Sequence, residues 1–380
     1  MAVTVKFVNS SSFKDDEVWI QFVSGSVAGT GNSGAMTLAE SGLSHPNAYS
    51  LKQLNKQINI TGMTARMYLN FGPAPWKFLN EGYEPPCNNP NDVNFPIRFD
   101  KIEANITGGP YDNIDTTSID YFSIPIQATS YLGTRQVYQL KASSGTVIKN
   151  ALAALTDNNP NVVIERPQFV RVIGPGLAPA GTYDDFSEYL SFMKSWKGTT
   201  TISGSYGGSG AGTSPEYQQQ DYKLTADFSG SSEVILSGSG TVVGALKISL
   251  SLAGLMAPTG IYGANPPYRV NDAPEITGGN QMYTWIVADL LAGMAVGAVG
   301  SETKLPTRVG ELPSSVWWSL PRNTLYAGLQ SNAKYYNQYS AALNPISDAY
   351  GFAYTDRFKY TTMSLAPGVA DTLVLEILPD

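Results

Sequence analysis

Apolar and polar residues alternate with a period of two in one segment after another of this 380-residue chain, and that period commits it to sheets. Val3-Thr4-Val5-Lys6-Phe7 alternates at the start. Further on, Tyr222, Leu224, Ala226 and Phe228 alternate with Lys223, Thr225 and Asp227, and Leu246, Ile248, Leu250 and Leu252 with Lys247, Ser249 and Ser251. Val18 to Val23 and Ala65 to Phe71 read as further strands, the second stopped by Gly72-Pro73. The chain holds 37 Gly and 24 Pro, enough punctuation to favour short strands joined by many turns. Thr372 to Leu378 reads as a last strand, expected to return to the first domain's sheet because termini often meet.

Three segments break the period. Thr146 to Leu155 predicts a short helix. In Asp184 to Trp196, Phe186, Tyr189, Leu190, Met193 and Trp196 recur at helical spacing behind Asp184-Asp185, which suit a positive helix N-terminus. Met282 to Val299 is apolar and long enough to span a bilayer, yet it contains Asp289, Gly293 and Gly297 and lacks basic flanks, so a buried helix is predicted. Ser203 to Ser214 reads as a Gly/Ser loop.

Composition removes whole classes of chemistry. With a net charge of -7, neither nucleic acid nor an anionic membrane is a fitting partner. Cys87 is the only cysteine, which excludes an intrachain disulfide and a cysteine zinc site. His45, in Ser44-His45-Pro46, is the only histidine and reads as a loop residue; Ser-His-Asp, Cys-His and multi-histidine metal chemistry are excluded with it. Asp-rich loops of calcium-binding spacing are missing from the sequence, so no metal and no cofactor are expected. Hydrolytic chemistry here has to run on carboxylates, Lys, Tyr or an oxygen-ligated metal. A low charged fraction of 14% and 22 Tyr suit a surface for an uncharged polysaccharide.

Two carboxylates stand out. In Lys101-Ile102-Glu103-Ala104-Asn105-Ile106-Thr107, Ile102, Ala104 and Ile106 fall on one strand face, and Lys101, Glu103, Asn105 and Thr107 on the other. Thr116 to Phe122 reads as the next strand and carries Asp120; Gly108 to Asn113 reads as the turn between them. Neighbouring strands would bring Glu103 and Asp120 into one polar groove, the minimum apparatus for glycoside hydrolysis. The plain alternative is a pair of solvated strand charges. Trp317, Trp318, Tyr111 and Tyr121 are candidates for stacking on sugar rings, with one of the adjacent tryptophans expected in the core. Asp92, Asp184, Asp185 and Asp356 are explained by helix starts, turns and surface.

Several of these segments together resemble glycoside hydrolase family 64, the laminaripentaose-producing type of β-1,3-glucanase with a thaumatin-like fold. The likeness runs through Val3 to Ser10, Val18-Trp19-Ile20, Ala65 to Gly72, Arg171 to Gly176, Tyr335 to Ser340 and Ala349 to Asp356. It is sharpest in Phe99 to Asn105 and Ile119 to Pro125, which look like the family's two catalytic segments. The chain departs from the family's pattern at Ala104, where an aromatic residue is usual, and at Thr355-Asp356, where paired aspartates are usual.

The resemblance implies a mainly β chain. Residues 1–164 with 336–380 would form a thaumatin-like β-sandwich or barrel domain, and 165–335 a mixed α/β domain, flanking a wide groove for β-1,3-glucan. It implies an inverting hydrolase with Glu103 as general acid and Asp120 as general base, or the reverse, their carboxyls about 6.5–9.5 Å apart to admit a water. Asn105, Thr107 and Thr117 would join Tyr111, Trp317 and Trp318 as substrate-binding residues. A non-catalytic glucan-binding protein on the same fold is the alternative, and a structural β protein a more distant one. A monomer is expected, secreted with its signal segment absent from this sequence, or otherwise cytoplasmic.

Overall fold

The computed structural model describes residues 2–263, 265–279 and 281–380. Strands and helices are numbered here in chain order. The first half contributes β1 (Val3–Asn9), β2 (Val18–Gly31), β3 (Tyr49–Ser50), β4 (Gln57–Phe71), β5 (Arg98–Ile106), β6 (Asn113–Thr116), β7 (Tyr121–Phe122), β8 (Ile126–Leu132), β9 (Arg135–Leu140), α1 (Gly145–Ala153), β10 (Val163–Glu165) and β11 (Phe169–Ile173). The remainder contributes α2 (Ser187–Ser195), β12 (Thr200–Tyr206), β13 (Gln220–Asp227), β14 (Glu233–Gly240), β15 (Gly244–Ser251), α3 (Leu252–Met256), β16 (Tyr268–Val270), α4 (Met282–Ala295), α5 (Ser314–Trp317), α6 (Gln338–Leu343), β17 (Thr362–Ser364) and β18 (Thr372–Ile377).

Two compact units result. The first takes the chain through Pro179 and regains Ile346–Gly351 and Tyr360–Asp380; the second takes Ala180–Pro345 and Phe352–Lys359. Residues 165–179 belong with the first unit because β11 sits between β10 and β7 in a three-stranded sheet.

The main sheet of the first unit runs β17-β6-β5-β4-β1-β18-β8-β9, with β2 paired to β4 and β3 to β2. The last strand, β18, lies parallel to β1 and antiparallel to β8, as the tail's alternation predicts. Tyr138 on β9 donates its hydroxyl to the carbonyl of Tyr360, beside β17, so the two ends of the sheet come together and it nearly closes on itself. The inward side chains form one apolar core. It includes Val5, Phe7, Ile20, Phe22, Ile58, Met67, Ile102, Ile106, Leu373 and Leu375. Burial of each such side chain is worth about 1.5–3 kcal/mol.

The second unit is built on an antiparallel five-stranded sheet in the order β12 to β16. Alternation on β13 is complete, buried and exposed residues taking strict turns. The predicted Gly/Ser loop is partly strand: Ser203, Gly204 and Ser205 belong to β12 and pair with Lys223, Tyr222 and Asp221. Gly204 is needed there because a Cβ would lie 2.7 Å from the Tyr222 hydroxyl. α2 is confirmed, with Tyr189, Leu190 and Met193 buried. Asp185 stands just before it and accepts hydrogen bonds from the backbone N and hydroxyl of Ser187. The apolar segment 282–299 is a buried helix over its first fourteen residues, and no helix among the described residues is long and apolar enough to cross a membrane. Asp289, in the middle of α4, is buried and answered by Arg357 at 3.2 Å and by the Tyr222 hydroxyl.

Candidate active site

Glu103 lies on β5, between β4 and β6. Residues directly opposite one another across a sheet point to the same face. Arg66 on β4 faces Glu103, Glu103 faces Asp115 on β6, and Asp115 faces Thr362 on β17. Two residues along, Thr64, Asn105, Asn113 and Ser364 make a second polar row. The opposite face of the same strands is Met63, Met67, Ile102, Ile106 and Ile114, all in the core. The alternation read from Lys101 to Ile106 is therefore borne out. One face is sealed by the core, and the other is an open hollow lined by Ser24, Thr64, Arg66, Glu103, Asn105, Asn113 and Asp115.

Asp120 is positioned by another route. The segment expected as one strand from Thr116 to Phe122 is broken: β6 ends at Thr116, Ile119 and Asp120 form a bend, and β7 resumes at Tyr121. The bend is pinned by Gly174, whose N–H donates to the Asp120 carbonyl at 2.7 Å. A Cβ on Gly174 would stand 2.2 Å from the carbonyl oxygen of Ile119, closer than any real contact. Immediately after, Tyr121 pairs with Ile173 on β11, which fixes where Asp120 leaves the sheet. Lys101, on the same face as Glu103 and two residues before it, donates its Nζ to Asp120 Oδ2 at 2.6 Å. Its side chain is only 8% exposed, whereas that of Asp120 is 40% exposed. Gly174→Ala should therefore push the 119–120 bend away from Lys101; a melting-temperature drop together with loss of whatever activity depends on Asp120 is the expected result, and unchanged activity would contradict the geometry.

Each carboxylate thus has its own cation. Arg66 Nε donates to Glu103 Oε1 at 2.9 Å. Next to Lys101 on β5 is a buried carboxylate not singled out from the sequence, Asp100. Its oxygens accept the backbone N–H groups of Lys101, Ser123 and Ile124, each at 2.9 Å. Complete burial pushes its pKa up to about 7 against the pull of those three N–H groups. Arg171, also buried, lies over the Phe99 ring at 4.1 Å and donates to the carbonyls of Cys87 and Ile97. Burial pulls Arg171 below its ordinary pKa and pushes the Cys87 thiol up to about 12, which leaves that cysteine a packing residue.

The substrate-binding candidates scatter. Asn105 is half-buried and lines the hollow beside Glu103. Thr107 is the first residue past β5; its hydroxyl donates to Asp112 Oδ1, which also accepts the N–H groups of Thr107 and Gly109, while Oδ2 accepts that of Gly108, and so the carboxylate ties off the turn. Tyr111, at the tip of that turn, is 83% exposed. Thr117 is buried and its hydroxyl oxygen accepts from the Ile119 N–H, so it shapes the bend before Asp120 and offers no open surface. Trp317 is a correction: it is fully buried in the second unit, donates Nε1 to the Val309 carbonyl at 3.2 Å, and fills the space left by Gly293, so neither face of its ring is free for a sugar. Trp318 is half-buried, packs edge-on against Phe358, and lines a hollow of the second unit with Asp356, Arg357 and Lys359. Tyr121 is buried and stacks edge-on with Phe99. No group of His, Cys, Asp and Glu among the described residues could hold a metal ion.

No family model matches the sequence, and no curated protein matches it either. Solved structures do. The chain is similar to a laminaripentaose-producing β-1,3-glucanase in complex with laminaritetraose, at 16% identity over 100% of this chain and 99% of that one, with a TM-score of 0.64. A β-1,3-glucanase domain (GH64) from Clostridium beijerinckii follows at 15% identity, over 99% of this chain and 98% of that one, TM-score 0.61. A GH family 64 laminaripentaose-producing β-1,3-glucanase from Paenibacillus barengoltzii is similar at 15% identity, over 99% of this chain and 74% of that one, TM-score 0.54. Identity this low establishes the fold: the mainly β architecture with its second, mixed unit is the one these glucanases have.

Proposed function

We propose that this chain belongs to glycoside hydrolase family 64 and is an inverting β-1,3-glucanase, releasing short oligosaccharides from laminarin-like glucan. The observation that carries the reading is that Lys101, two residues before Glu103 on the same strand face, holds Asp120 by an ion pair, in a chain that has the fold of β-1,3-glucanases along its whole length. Glu103 is assigned as the general acid that protonates the departing glycosidic oxygen. Asp120 is assigned as the general base that takes a proton from the water attacking the anomeric carbon from the opposite side. Water adds and the glycosidic bond breaks in one displacement, so configuration inverts and no covalent sugar–enzyme intermediate forms. Asn105 and the exposed Tyr111 are assigned to the glucan. A secreted monomer acting on polysaccharide suits the acidic, weakly charged composition.

One observation favours a second reading, a glucan-binding protein without turnover: both carboxylates are engaged by cations, Arg66 and Lys101. Anomeric proton NMR during laminarin digestion separates the two. Oligosaccharides appearing first as α-anomers are expected. First-formed β-anomers would remove the inverting mechanism, and binding with no new reducing ends would make the protein a lectin-like relative.

A further inference from the structure

Arg66 does not serve Glu103 alone. Its NH1 donates to both oxygens of Glu84, at 2.9 and 2.8 Å, while its Nε takes Glu103. Glu84 is in turn held by the Tyr68 hydroxyl at 2.7 Å and by the Ser24 hydroxyl. Every oxygen of Glu84 is therefore occupied by two donors. For Glu103 the Arg66 bond is the one side-chain hydrogen bond among the described residues, and 42% of its side chain is open to solvent.

The loop that carries Glu84, residues 72–97, is rigid by construction. Tyr83, one residue earlier, packs among Trp76, Tyr68 and Cys87 and donates its hydroxyl to both oxygens of Asp92. Pro85 and Pro86 follow directly and stiffen the chain. Burial pushes the Glu84 carboxyl upward, but the hydrogen bonds from Ser24, Tyr68 and Arg66 outweigh it and hold the group below its ordinary pKa. Arg66, flanked by two carboxylates, is held above its own in spite of burial.

We propose that Glu84 is a positioning residue for the reaction: anchored by Ser24 and Tyr68, it aims the Arg66 guanidinium, and Arg66 aims Glu103. The proposal rests on the hydrolase reading for its consequence and on the Ser24/Tyr68–Glu84–Arg66–Glu103 chain for its geometry. The charged groups facing Glu103 are Arg66 from β4 and Asp115 from β6, with Glu84 behind Arg66 and Lys101 along β5. A guanidinium divided between two carboxylates stabilises neither charge fully. Removing the Glu84 charge gives Arg66 wholly to Glu103, which favours the ionised form and withdraws the proton the leaving oxygen needs.

The test compares wild type with Glu84→Gln, which keeps the shape and one of the two acceptor oxygens but removes the charge, and with Glu84→Ala. For Glu84→Gln on laminarin we expect a fall in kcat of about 10- to 100-fold with KM changed less than about threefold, as for a small misplacement of a catalytic group. The alkaline limb of the kcat/KM profile should move to lower pH. A merely structural Glu84 would lower the melting temperature and leave the profile in place, which would overturn the proposal. A second measurement does not need turnover: the Arg66 Nε–H resonance in proton–nitrogen spectra. It should be sharp and slow to exchange in wild type, and shift in Glu84→Ala as Arg66 turns wholly to Glu103, while the other arginine resonances stay in place. An unchanged Arg66 resonance overturns the proposal whatever the kinetics. An altered one in a wild type that cleaves no laminarin retains the positioning chain and removes the hydrolase reading instead.

Discussion

Glu103→Gln and Asp120→Asn should each reduce laminarin hydrolysis by about 10²- to 10⁴-fold, the range for loss of a positioned acid or base, and Glu103→Gln should do so with little change in melting temperature. Both side chains are partly open to solvent, at 42% and 40%, and both substitutions keep an oxygen acceptor for Arg66 or Lys101. The Glu103–Arg66 pair is exposed enough for a small stability cost, whereas Asp120→Asn leaves the nearly buried Lys101 without its anion and should lower the melting temperature. The two variants should fail differently. Replacing the acid matters less when the leaving group needs no proton, so Glu103→Gln should retain activity on an aryl β-laminaribioside with a strongly acidic phenol. Asp120→Asn should lose both substrates, because the water still has to be activated. The reverse pattern would exchange the two assignments, and full laminarin activity in either variant would remove that residue from the chemistry.

Asp100 governs the second large effect, on stability. Its folded-state pKa of about 7 lies above the ordinary 3.8, so between those values the folded chain holds the proton more tightly than the unfolded one. The stability this contributes is complete below about pH 3.8 and is lost as pH rises through 7. Each unit of such a difference corresponds to about 1.4 kcal/mol, so several kcal/mol are at stake across the window. Asp100→Asn cannot titrate. It also puts an amide donor against one of three backbone donors, those of Lys101, Ser123 and Ile124, leaving a buried N–H unsatisfied at about 1–3 kcal/mol. The variant should thus be the less stable protein at pH 5, and the gap should narrow by pH 8 as wild type loses its advantage. Denaturant midpoints at the two pH values check this; a gap that widens with pH would mean Asp100 is ionised in the fold. Asp289 in the second unit, pushed by burial up to about 6, works in the same direction and reinforces the wild-type decline.

The two candidate carboxylates owe their places to different physics. Glu103 was legible because a strand repeats every two residues: once Ile102 and Ile106 are committed to the core, Glu103 and Asn105 have only the other face to occupy. The tail strand, the buried helix at 282–295 and the alternating strands of the second unit were legible for the same reason, since burial acts on residues close in sequence. Asp120 was legible as a residue and not as a place. Its bend depends on Gly174 and on β11, more than fifty residues away, and no local period records a close approach between segments that distant. Arg66, Glu84, Lys101 and Asp100 escaped for a related reason: each is an ordinary charge until the β4–β5 register sets Arg66 opposite Glu103 and the 72–97 loop folds Glu84 onto Arg66. Trp317 shows the converse, an aromatic residue suited to a sugar by type and withdrawn from solvent by α4, where Gly293 leaves room for its ring. The sequence by itself determined which residues face the core, because periodicity and hydrophobicity are local. Only the tertiary structure decided which charges meet, because ion pairs are set by the register and by loop closures that join distant parts of the chain.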